Sequence, residues 1–176
     1  MPIAFYDAVV PSSLQVLRAL NGVLVKAAAF CAEQDRAEAD LIDARLSPDM
    51  LPLGYQVKSC AVHSVGAIEA TGRGSFSPDR SPWPIDFPGL RALVQETIGK
   101  LEALDPAAVD ALAATDTRFA FGDTSLPFGG ADFLLSFAQP NFYFHAAIAY
   151  AILRGEGVPL GKRDFLGTPR VKRPRT

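Results

Sequence analysis

The stretch Phe133 to Arg154, FLLSFAQPNFYFHAAIAYAILR, decides how this chain folds. It carries no charged side chain before Arg154, and its apolar residues fall on every face of a helix rather than on one stripe. Its length approaches that of a bilayer span, but Ser136, Gln139, Asn141, His145 and a mid-run Pro140 make it read as a core helix instead. The helix is expected to start near Asp132, after Gly129-Gly130, and to end at Arg154, before Gly155 and Gly157. Pro140 removes one i to i−4 bond, so a kink is expected near Ser136 or Gln139, whose side chains could take up the freed carbonyl. A helix that is apolar all round belongs at the centre of a bundle, and the remainder of the chain should supply its neighbours.

Three further amphipathic segments do so. The first runs from Ser12 or Ser13, as a serine cap after Pro11, to about Gln34, with Leu14, Leu17, Val23 or Leu24, Ala27, Ala28 and Cys31 at helical spacing. Leu41 to Leu46 could add a short turn. Ser47-Pro48-Asp49 has the form of a second helix start, and Leu53, Val57, Cys60, Ser64 and Ile68 continue its buried stripe to Thr71, before Gly72 and Gly74. Ser75 to Pro88 contains Pro78, Pro82, Pro84 and Pro88 and reads as a long crossover. The third helix spans Pro88 to Leu104, and Asp105-Pro106 caps a short Ala-rich turn through Ala114. From Thr117 to Phe128 the apolar period changes to two around Gly122-Asp123, the pattern of a small β-hairpin, which must lie on the helices to be stable. The fold class is therefore mainly α: a four-helix bundle with a long crossover and a β-hairpin before the last helix.

A chain of 176 residues fits one core, and 49% hydrophobic with 20% charged residues is enough apolar material to fill it, which excludes a disordered chain. We place one domain at residues 1–167 and a basic tail at 168–176. The net charge is -2, and the dense basic cluster, Arg170, Lys172, Arg173 and Arg175, is confined to that tail, so no nucleic-acid partner is expected. No membrane span is expected, and Met1 to Val10 lacks a basic n-region. Cys31 and Cys60 fall in apolar helical patterns without metal spacing, which fits buried free thiols in the cytoplasm.

Asn141 and His145 are four apart, on one face of the most apolar helix, and buried polar groups there need partners: each other, another helix, water or a ligand. A satisfied core histidine is the plain alternative to a ligand or catalytic role. His63, the other histidine, stands at the edge of the second helix's stripe, so His63 and His145 could meet as metal ligands. A third ligand is missing: Ala149 follows His145 by one turn, and the spacing singles out none of Asp49, Glu69, Asp132 or Tyr143. Nothing resembles a nucleophile elbow or a phosphate loop. Gly161-Lys162-Arg163-Asp164-Phe165-Leu166-Gly167 reads as a packed return strand anchored by Phe165 and Leu166, with its basic pair as a candidate anion grip.

The segments Gln139-Pro140-Asn141-Phe142-Tyr143-Phe144-His145, Ala149 to Arg154 and Gly161 to Gly167 resemble a bacterial family of unknown function within the DinB/YfiT-like helical-bundle superfamily. Ala44 to Met50, followed by Gln56-Val57, is similar to the same family's second-helix start. The resemblance implies a four-helix bundle with a crossover, and homodimers. The superfamily includes metal-dependent thiol transferases and hydrolases with three histidines, of which only His145 and His63 could be matched here; no cofactor is assured, and Zn or Ni is the candidate metal. Three readings follow. One is a protein that binds a small ligand or partner in a pocket of Asn141, His145, Tyr143 and Trp83, without a complete metal site. Another is a metal-dependent thiol transferase or hydrolase with a reduced histidine set, and the third is a non-catalytic homodimeric interaction protein.

Overall fold

The structure, a computed structural model, describes residues 3–172; Arg173 and Arg175 of the basic tail lie outside the described residues. Helix α1 spans Phe5–Glu33 and so begins well before the serines expected to cap it, with Pro11 inside. Two tertiary features explain the difference. Asp110 Oδ1 accepts the Tyr6 amide at 2.7 Å, capping the new N-terminus from another element, and Val9 and Val10 are buried. The carbonyl that Pro11 leaves without a donor is that of Asp7, an exposed residue where water can serve.

After the short α2, Glu38–Ile42, the chain turns at Ser47-Pro48-Asp49 instead of starting a helix there. Ser47 Oγ donates to Asp49 Oδ1, so the serine is not free to cap, and the Met50 amide closes the turn on Ser47 O at 3.0 Å. The second long helix, α3, starts only after the extended Pro52; it comprises Leu53–Ala61, a π turn Val62–Gly66 and Ala67–Arg73, and ends at Gly74, whose φ of 76° suits glycine.

The crossover follows, and buried Lys58 fixes it: its ammonium donates to Asp79 O at 3.1 Å and to Ser81 O and pairs with Asp79 Oδ1 at 3.1 Å. Strand β1, Ser75–Phe76, lies in it; two residues are too few to show a sequence period. Helix α4, Phe87–Glu102, is capped by Asp86, which the sequence reading did not single out, and α5, Pro106–Ala111, by Asp105, as expected. Strands β2, Asp116–Phe121, and β3, Thr124–Gly129, form the hairpin, with Phe121 opposite Thr124, and β1 pairs parallel to β2 to give the order β1-β2-β3.

The last long helix, α6, comprises Gly130–Asp132, a π turn Phe133–Ala138 and Gln139–Gly155. The disturbance expected from Pro140 takes the form of that π turn, which immediately precedes it. The side chains behave differently from expectation. Ser136 Oγ donates to Asp132 O, Gln139 reaches across to Ala8 O at 3.0 Å, and Asn141 donates to Phe137 O at 2.7 Å. Segment 161–167 is a short helix, α7, Lys162–Leu166, rather than a return strand. Asp164 accepts both the Gly161 amide and Lys26 Nζ at 2.7 Å, which bends the backbone into a turn and ties it to α1.

Helix α1 packs along α4 and α6 along α3, while α1 with α6 and α3 with α4 close the ring. Leu17, Leu24, Val57, Leu90, Phe133 and Phe142 meet inside at 1% exposure or less, each burial contributing about 1.5–3 kcal/mol. Helix α6 is one wall of this bundle rather than an enclosed axis: Tyr143 is 36% and Phe144 51% exposed on its outer side. Among the described residues the helix long and apolar enough to cross a membrane is α1, not α6, yet half of its most apolar window is buried against the bundle, as in a core helix.

Candidate functional site

Two of the residues singled out in the sequence meet, although they are far apart in the chain. The His63 and His145 rings lie 5.4 Å apart and within 19° of parallel, His63 from the π turn of α3 and His145 from α6. Gln56, one helical stripe along α3, orients the pair. Its amide nitrogen donates to Leu51 O at 2.8 Å, which leaves Oε1 facing His145 Nδ1 at 2.7 Å. Nδ1 of His145 therefore carries the proton in the neutral ring and Nε2 is the acceptor. His63 packs against Phe76 and Phe137, and its Nδ1 is buried without a hydrogen-bond partner among the described residues. Burial pushes both imidazoles down to about 4, and for His63 the neighbouring His145 adds to the effect.

The remaining candidates separate. Asn141 shares a helix face with His145, but its amide is spent on Phe137 O one turn back. Tyr143 points to the outer side of α6. Trp83, on the crossover, reaches His145 only through Tyr55: Trp83 and Tyr55 meet edge to face at 5.9 Å, and Tyr55 and His145 likewise at 5.8 Å. Trp83 lies so close over Gly54 that a Cβ there would be 2.2 Å from Trp83 Cδ1; only glycine lets the indole lie down.

An open cleft of about 450 Å³ lies beyond Trp83, walled by Leu51, Tyr55, Trp83 and Phe121 with Asp79 and Arg80 at its rim. The Arg80 guanidinium stands 4.5 Å from the Phe121 ring centroid. The sequence reading missed Tyr55, Gln56, Arg80 and Phe121. Gln56 carried a usable signal, since it falls on the stripe of Leu53, Val57 and Cys60, where a polar residue must find a partner; the others take meaning only once the crossover is laid over α3.

As a metal centre the histidine pair is short of ligands. Ala149 is buried one turn beyond His145, Asp49 is bound by Ser47, and Glu69 pairs with Arg73. Among the described residues no group of three or more His, Cys, Asp or Glu side chains is placed to hold an ion, so the residues present do not fit a three-histidine site. Cys31 and Cys60 are free and buried, and burial raises both thiols.

The bundle, its crossover and the histidine on α6 define a DinB-like helical-bundle protein. Residues 5–166 match the family described as a domain of unknown function (DUF1993), and the chain belongs to that family. Among solved structures it is similar to a DinB family member protein from Shewanella denitrificans, with 28% identity, a TM-score of 0.81, and coverage of 96% of this chain and 95% of that one. No curated protein matches it.

Proposed function

We propose that the chain is a cytoplasmic binding protein that holds a small ligand with an apolar body in the cleft between the crossover and α3, without metal chemistry. The observation that carries this reading is the convergence of Trp83, Tyr55, Phe121 and Leu51 around about 450 Å³ of open volume, the size and lining of a small-molecule site. Trp83 is the chain's sole tryptophan, so its fluorescence and its indole N–H resonance report on this cleft alone. Saturable change in either signal on screening planar apolar compounds supports the reading; silence across the screen, with no thermal stabilisation, removes it. The metal-dependent alternative is tested in parallel by metal analysis of untagged protein beside His63→Ala and His145→Ala. Stoichiometric Zn or Ni that both variants lose would replace the binding reading with the hydrolase or transferase one.

A second observation favours a homodimer as well. The outer side of α6 presents Leu135, Pro140, Tyr143 and Phe144 exposed, in a stretch without charge before Arg154. Sedimentation at micromolar concentration should give a dimer that Phe144→Glu dissociates; a wild-type monomer sinks this part of the proposal.

A further inference from the structure

We infer that the cleft's ligand is a planar carboxylate, an aromatic or conjugated body bearing a single carboxylate head, with Arg80 as the group that selects the head. The inference rests on the proposed cleft and adds the chemistry of what enters it. Charge is the first argument. Beside the cleft, Lys58 and Asp79 are spent on each other: Lys58 is buried and paired with Asp79, whose carboxylate also accepts the Ser81 amide at 2.8 Å. Arg80, by contrast, makes no ion pair or hydrogen bond among the described residues. The rim is left with one uncompensated positive charge, which suits a monoanion better than a dianion with Asp79 so near.

Geometry is the second argument. An arginine lying over an aromatic face engages that ring through its π surface and keeps its in-plane N–H donors free. Phe121 thus holds the Arg80 guanidinium beside the cleft, where its fork can meet two carboxylate oxygens. The body of the ligand follows from the walls. Trp83 and Tyr55 meet edge to face at 5.9 Å and both line the cleft, so a flat apolar body can pack against the pair. Leu51, 46% exposed, gains cover from the same body.

The test uses the full chain and two isosteric probes, naphthalene-2-carboxylate and naphthalene-2-carboxamide, read by the Trp83 indole N–H resonance. The acid should shift the resonance saturably and bind roughly tenfold tighter than the amide. Arg80→Gln should bring the acid to the level of the amide and leave amide binding unchanged, while Arg80→Lys, which keeps the charge and loses the fork, should fall between. Equal binding of acid and amide to the wild type, or acid binding untouched by Arg80→Gln, overturns the inference and leaves the cleft standing. If neither these probes nor any compound of the wider screen moves the resonance, the cleft reading falls and takes the inference with it.

Discussion

The row of rings from His63 to Trp83 has a sealed end and an open end, and the two are built by opposite rules. At the sealed end His63 and His145 stack between α3 and α6, one proton is fixed by Gln56, and burial keeps both rings neutral. At the open end Trp83 and Tyr55 meet by the same kind of ring contact, but they border empty volume and an arginine that pairs with no carboxylate among the described residues. The difference teaches where to look for each consequence of a substitution. Polar groups at the sealed end set the stability of the bundle and its response to acid; Arg80 at the open end decides what binds and leaves stability nearly untouched.

Acid gives the largest effect. Each histidine has an ordinary value of 6.5 and is held at about 4 in the folded chain. The unfolded chain therefore binds more protons between these values, so stability is complete above about 6.5 and is lost as pH falls from there through about 4. The loss is up to about 3 kcal/mol for each ring. The carboxylates act at the foot of this window: Asp49, Asp79, Glu96 and Asp164 are held below their ordinary values of 3.8 to 4.5 and lose their share from there downward. Urea midpoints at pH 7.5 and pH 4.5 measure the effect, and a flat profile would break the comparison at its sealed end. Next comes Gln56→Leu, which leaves the His145 Nδ1–H and the Leu51 carbonyl without partners. We expect a cost of about 2 kcal/mol in denaturant unfolding with an unchanged slope.

The bundle was legible because burial writes itself into sequence as a period. Leu53, Val57, Cys60 and Ser64 mark one side of α3, and the change to alternate residues at Phe119 and Phe121 marks the hairpin around Gly122-Asp123. The starts of α1 and α3 were not legible, because distant partners decide them. Asp110 caps α1 from α5, and the Ala44 carbonyl, which accepts the Leu53 amide at 2.9 Å, sets where α3 begins, overriding the local signals of Pro11-Ser12 and Ser47-Pro48. The site divides in the same way. His145, His63 and Trp83 could be named by residue type, whereas the bond of Gln56 to a ring 89 positions away and the stacking of Arg80 on Phe121 exist only after the crossover closes.

Gly54→Ala separates the two ends. Its methyl would overlap Trp83 and must lift the indole from α3, at about 1–2 kcal/mol. The cleft should be lost and the tryptophan emission shifted to the red, while the acid response of the histidines stays as in the wild type. A changed acid profile would mean that the ends are coupled through Tyr55 rather than independent.

The smallest effect has the opposite sign. His63 Nδ1 is buried without a partner among the described residues, and a polar atom in that position costs stability for as long as it stays unpaired. His63→Leu replaces the ring with an apolar side chain of similar volume among Phe76, Phe137 and His145. The variant should gain about 1 kcal/mol at pH 7 and lose one histidine's share of the acid response, leaving a shallower slope that belongs to His145 alone. If His63→Leu is instead less stable at neutral pH, Nδ1 has a partner in solution, and an ordered water or a bound ion reaching the sealed end becomes the better account of why an imidazole is kept there.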